Sequence, residues 1–245
     1  HIGDLENLQT YDFFQRTIAH LKRILDISPE IIVHDRHPDY LSTRYALEQT
    51  ELPTVAVQHH HAHIASAMAE HGREGSVIGL AFDGTGYGSD GRIWGGEVLI
   101  AEPGRFERAT ALADVSMPGS AAAIREPWRM AVSYLKSAFG DNFWDLGLPL
   151  FDHIESEHIR VVVEMIEKGI NAPQTSSLGR LFDGVAAIAG IRHRVRYEGQ
   201  AAMELEMIAD ANSRSRKGYE VAWDGTGRGR IGTAPLIRGV VADLK

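Results

Sequence analysis

Cysteine is missing from all 245 residues. Its absence excludes disulfides, thiolate metal ligands and a cysteine nucleophile from this chain, and it fits a protein of the reducing cytoplasm. Basic residues are the scarcer charge: 25 Lys and Arg stand against 33 Asp and Glu, for a net charge of -8, which argues against a general nucleic-acid binder. No apolar run approaches bilayer length, so no membrane role is expected. The N-terminus lacks the basic and apolar regions of a secretory signal. Neither a Gly-x-Ser-x-Gly elbow nor a Walker-type Gly-Lys-Ser/Thr loop is present. Internal repeats and low-complexity tracts are also lacking. The first residue is His1 rather than Met, and Lys245 falls at the start of what reads as a helix. Both ends suggest an excised piece of a longer protein.

What is present is an alternation of strands and helices. Tyr11, Phe14, Ile18, Leu21 and Leu25 recur at helical spacing across residues 10–26. Ile31-Ile32-Val33 and residues 54–57 are short β-branched strands, with helices predicted at 39–48 and 61–71. Residues 77–82 read as a buried strand, 93–101 as its return and 106–112 as a third strand. Helices follow at 127–139, around Ile159 to Ile166, at 178–189 behind a Ser177 cap, and at 199–211. Residues 146–151 read as a loop and 219–231 as a hairpin. The pattern is α/β, in two lobes joined near Gly72 to Gly75.

Residues 57–97 concentrate the chemistry. Gln58-His59-His60-His61-Ala62-His63 places His59 and His63 four apart, so both rings project from one helix face where a metal can bridge them. Asp83 ends the following strand and is the best candidate for a third ligand. A set of two nitrogens and one oxygen suits Zn(II) or Fe(II). Asp83-Gly84-Thr85-Gly86 reads as a turn whose bare backbone N–H groups can cradle phosphate, although hairpins use the same residues. The copy at Asp224-Gly225-Thr226-Gly227 has no histidines beside it and reads as an ordinary turn. Gly179 allows close approach near a helix N-terminus, and Asp183, four residues on, can accept from ribose hydroxyls. Packing for Gly179 and solvated charge for Asp183 are the competing reading. Glu198 and Gly199, in Tyr197-Glu198-Gly199, carry the same nucleotide-binding suggestion. Arg125-Glu126-Pro127-Trp128-Arg129 suits either an anion or a helix entry with a buried Trp. The remaining histidines are scattered.

The segments His1-Ile2-Gly3-Asp4-Leu5-Glu6-Asn7, 58–63, 83–97 with its Trp94-Gly95-Gly96-Glu97, and 177–185 followed by Tyr197-Glu198-Gly199 occur in an order that resembles the HypF carbamoyltransferases of [NiFe]-hydrogenase maturation. The resemblance implies an actin/sugar-kinase-like fold of tandem RNase-H-like lobes, truncated at both ends. Residues 1–74 would be the remainder of the first lobe. Residues 75–245 would be the second, with helical insertions and an incomplete C-terminus. It implies a divalent metal on His59, His63 and Asp83, and a nucleotide at Gly84, Thr85, Gly86, Gly179, Asp183, Glu198 and Gly199. It further implies carbamoyl transfer from carbamoyl-adenylate, made from carbamoyl phosphate and ATP in other domains, to the C-terminal cysteine of HypE. The piece alone is expected to be inactive. An O-carbamoyltransferase, a tRNA threonylcarbamoyl transferase relative, and an inert actin-like docking module are the alternatives.

Overall fold

A computed structural model describes residues 5, 7–209, 218–223 and 229–245. Most of the opening motif and the second Asp-Gly-Thr-Gly copy at 224–227 lie outside the described residues. The chain divides into two compact units, one ending at Ala62 and the other starting at His63.

The first unit is a βαβ arrangement behind a long helix. Helix α1 (Leu8–Ile24) starts where Asn7 Oδ1 accepts the Thr10 N–H at 2.8 Å, the usual service of an N-cap side chain. Strand β1 (Ile32–Asp35), helix α2 (Leu41–Glu48) and strand β2 (Thr54–Val57) follow. The two strands run parallel, Ile32 opposite Thr54 and Asp35 opposite Val57, as a helical crossover requires. Phe14 of α1 meets Tyr45 of α2 edge-on at 5.3 Å. Helix α3 (His59–Glu70) opens immediately after β2 and continues beyond the division between the units.

The second unit is built on a mixed sheet. Strands β3 (Val77–Tyr87), β4 (Ile93–Glu102) and β5 (Arg105–Leu112) form an antiparallel meander. Strand β6 (Val115–Ser116) leads into helices α4 (Ala121–Arg125) and α5 (Trp128–Phe139), a 3₁₀ segment (Gly140–Leu146), α6 (Leu150–His153) and α7 (Ser156–Lys168). Then come β7 (Gln174–Thr175), α8 (Leu178–Ile188), α9 (Gln200–Ile208), β8 (Ala222–Trp223), β9 (Arg230–Gly232) and α10 (Ala234–Asp243). The sheet order is β6-β7-β4-β5-β9-β8, with β3 paired to β4.

Two apolar clusters hold this unit. The larger joins α5, α7, α8 and α10 around Met130, Leu135, Ile159, Leu181, Ile188 and Ile237. The smaller seats Ile64 and Met68 of α3 on Ala81, Leu99 and Ala101. A Cβ on Gly79 would lie 2.2 Å from Ile64 Cδ1, so the absent side chain is what lets α3 sit this close to β3. That closeness sets the height of His63 over β3, the strand that carries Asp83.

Three expectations need correction. Residues 83–86 are not a turn. They continue β3, with a register shift between Phe82 and Gly86, after which Gly86 pairs with Trp94 and Tyr87 with Ile93. The reversal comes later, where Gly88 N–H bonds to Arg92 O and Gly91 takes a φ of 76°. Residues 146–151 are not one loop, because α6 starts at Leu150, which is fully buried. Helix α3 begins at His59 rather than His61, so both histidines of the predicted pair are helical.

Candidate functional site

In the first turn of α3, His59 Nδ1 lies 2.7 Å from Asp35 Oδ2 at the end of β1. Asp35 is itself held, since its Oδ1 accepts the His37 N–H at 2.8 Å. A carboxylate on Nδ1 favours the tautomer that keeps the proton there, leaving Nε2 as the ligand-type nitrogen. One turn later on the same helix comes His63.

Asp83, in the second unit with His63, presents a carboxylate oxygen within 4.8 Å of the His63 ring nitrogen. Its Oδ1 accepts the Gly84 N–H at 2.6 Å, which fixes the carboxylate against its own strand. Imidazole and carboxylate donors at this spacing could hold a divalent metal ion.

The strand carrying Asp83 is clamped by the start of α8. Ser177 Oγ lies 2.8 Å from Asp83 O and 2.6 Å from Gly84 O, its one hydroxyl proton shared between two carbonyls. The same oxygen accepts the Arg180 N–H at 3.1 Å as the helix N-cap. Gly179 completes the contact. A Cβ there would lie 2.8 Å from Gly84 Cα and 3.2 Å from Asp83 O. Backbone of β3 therefore fills the space beside Gly179 that the sequence reading reserved for a ligand.

Asp183 is buried rather than solvated, and so is Arg180 one turn before it. Burial pushes the Asp183 carboxyl up to about 6, against the opposing pull of the Arg180 charge. Glu198 reaches the same place: its Oε1 lies 4.0 Å from the position a Cβ would take on Gly84. Gly199, with a φ of 74°, starts α9 immediately behind it. Gly84, Gly179 and Glu198 are thus brought together by two helix starts and one strand, with Asp183 linked to them through Arg180, while Thr85 and Gly86 continue along β3.

A second network lies beneath the first. Glu97 is fully buried, yet its carboxylate takes Arg108 Nε at 2.5 Å, Ser176 Oγ at 2.5 Å and the Gly95 N–H at 3.2 Å. Arg108 also lies over the Trp94 ring at 4.0 Å and bonds Asp90 at 3.2 Å. A buried carboxylate supplied with this many donors is satisfied and held rigid. It ties β4 and β5 to the residue preceding Ser177.

The sequence reading missed Asp35, Arg180, Glu97 and Arg108. Only Arg180 left a local signal, as the sole basic residue in the apolar stretch of α8 and three residues from Asp183. The others act across long sequence separations.

Comparison with known proteins gives one consistent result. The family model described as "Carbamoyltransferase, Kae1-like Domain, second subdomain" matches residues 79–245, and that described as "HypF Kae1-like domain" matches residues 1–70. Carbamoyltransferase HypF2 of Cupriavidus necator is 45% identical over 219 residues, covering 86% of this chain and 26% of that protein. Carbamoyltransferase HypF of Rhizobium leguminosarum bv. viciae is 43% identical over 237 residues, or 97% of this chain and 30% of the relative. The crystal structure of full-length HypF in the phosphate- and nucleotide-bound form superposes with a TM-score of 0.90 at 39% identity, covering 100% of this chain and 37% of that one. The chain thus spans under a third of the length of these curated relatives.

Proposed function

Because this chain belongs to the HypF carbamoyltransferase family, we propose that it carries the carbamoyl-transfer site of a longer hydrogenase-maturation protein. One observation carries the proposal. Asp83, the carboxylate beside His63, is followed directly by Gly84, the strand residue onto which Ser177, Gly179 and Glu198 converge. A metal-type donor set and a nucleotide-type cradle therefore meet within one peptide unit.

In this reading His59, His63 and Asp83 hold a divalent ion, Zn or Fe. Bound there, such an ion supplies Lewis-acid polarisation of a phosphoryl or carbonyl oxygen. The chain's own residues do the positioning. Asp35 orients His59, and the Gly84 N–H orients Asp83. The Ser177 clamp and the bare Gly179 hold β3 against α8, and Asp183 and Glu198 offer carboxylate acceptors to ribose hydroxyls, beside backbone at Gly84, Thr85, Gly86 and Gly199.

The substrate is carbamoyl-adenylate, formed from carbamoyl phosphate and ATP elsewhere in the longer protein. The acceptor is the thiol of the C-terminal cysteine of HypE. Thiolate sulfur attacks the carbamoyl carbon, the bond from that carbon to the phosphate oxygen breaks, AMP leaves, and the thiol proton passes to solvent. The product is a thiocarboxamide, the precursor of the cyanide ligand. The absence of cysteine from this chain agrees with an acceptor thiol supplied in trans. Lobes divided at 74/75, a cytoplasmic location and inactivity of residues 1–245 alone belong to the same proposal. Among the described residues no helix is long and apolar enough to cross a membrane.

The test is metal content and carbamoyl transfer to HypE in the full-length protein, with His63→Ala and Asp83→Ala. Loss of both metal and transfer in each variant is expected. Unchanged metal and transfer would sink the assignment and favour an inert docking module.

A further inference from the structure

The Arg180 guanidinium has so far entered only as the charge beside Asp183, and its surroundings are unusual for a structural arginine. It is 4% exposed and stands at the third position of α8. Among the described residues its close charge partner is Asp183, 3% exposed, with Nε and Oδ2 2.8 Å apart. The distance is short but the direction is wrong: neither atom makes a hydrogen bond among the described residues. Three residues of separation on one helix bring the groups side by side without turning the fork toward the carboxylate.

A guanidinium carries five N–H donors, and a buried one left undirected loses the solvation of a charge without regaining it in hydrogen bonds. A pair that served only packing would be expected to close into the two-pronged form. Here Nε is left without a well-directed hydrogen bond among the described residues. The end of the group faces Gly84, where Nη2 lies 3.7 Å from the position a Cβ would occupy. No side chain stands on that residue. Glu198 Oε1 borders the same spot, 4.0 Å from that position, and would repel any anion not held by a cation. Ser177 and Gly179 fix the helix start against β3, so the guanidinium is held at a set height over the strand.

We infer that Arg180 is an anion-binding residue whose guanidinium takes phosphate oxygens of the nucleotide over Gly84. The inference rests on the nucleotide reading given above and adds to it the residue that recognises the phosphate. Asp183 and Glu198 then deal with neutral hydroxyls, and Arg180 deals with charge. The ligand class is a nucleoside monophosphate moiety, free or as the phosphate of an acyl-adenylate, and planar two-pronged recognition is what arginine offers there and lysine does not.

Calorimetric titration of the full-length protein with AMP, adenosine and inorganic phosphate tests this. Wild type is expected to bind AMP more tightly than adenosine, with phosphate competing against AMP alone. Arg180→Met should weaken AMP about tenfold or more while changing adenosine less than about twofold. Arg180→Lys should recover part of the loss. Gly84→Ala is the second arm. Its methyl would take the space over Gly84 that the phosphate is to occupy, at ordinary contact distance from the Arg180 guanidinium, so it should lower the AMP-to-adenosine ratio with the Arg180 charge still in place, even if Arg180→Met fails to fold. An AMP-to-adenosine ratio unchanged in Arg180→Met, or in Gly84→Ala should that variant alone fold, overturns the inference. So does a wild type that binds both ligands equally, which would leave the nucleotide reading intact. A wild type that binds neither ligand overturns both.

Discussion

His59 Nδ1 and Asp35 Oδ2 lie 2.7 Å apart, joining the first turn of α3 to the end of β1. The contact favours the tautomer with its proton on Nδ1, and it comes from a residue 24 positions away that no local motif includes. Asp35→Asn keeps the shape and removes the acceptor charge. Metal affinity should fall roughly 10–100-fold with the fold intact, the size expected for losing a carboxylate behind a ligating histidine. Metal-competition titration alongside circular dichroism checks it, and unaltered affinity would show that the carboxylate is irrelevant to His59.

Gly179→Ala should cost stability although alanine suits helices. Its methyl would sit 2.8 Å from Gly84 Cα, and a strand pinned by Ser177 cannot retreat easily. A loss of about 1–3 kcal/mol is expected from such overpacking. Denaturant unfolding measures it. A variant as stable as wild type would mean that β3 and α8 can part.

Asp183 makes stability depend on pH in the direction opposite to most carboxylates. Burial lifts its pKa from 3.8 to about 6, so between these values the folded chain keeps a proton that the unfolded chain has lost. The folded state is favoured below this window and loses up to about 3 kcal/mol as pH rises through it. Relative to Asp183→Asn, wild type should therefore be more stable at pH 5 than at pH 7.5. Equal differences at the two pH values in paired unfolding curves would contradict the buried assignment.

Most elements were legible because their signals are local. The Ser177 cap, the βαβ alternation before His59 and the His59/His63 spacing all lie within a few residues of what they specify. The failures have physical causes. Glycine punctuates both turns and irregular strands, so Asp83-Gly84-Thr85-Gly86 read as a turn, when pairing resumes at Gly86 and the chain reverses only past Gly88. The burial of Asp183 was not legible, because periodicity reveals one apolar face. Helix α8 meets α5, α9 and β3 at once, and its acidic residue is enclosed along with the rest. Asp35, Glu97 and Arg108 contribute through contacts that a linear pattern cannot encode.

The Ser177 clamp also sets an order of events during synthesis. Strand β3 leaves the ribosome 94 residues before the hydroxyl that holds its Asp83 carbonyl. At about 5–20 residues per second, that is a wait of roughly 5–20 s. Through that interval Asp83 and Gly84 are already made but not yet fastened to α8. A nascent chain stalled between them has the carboxylate without its brace, so whatever is to occupy this position has no finished seat until translation has passed α8.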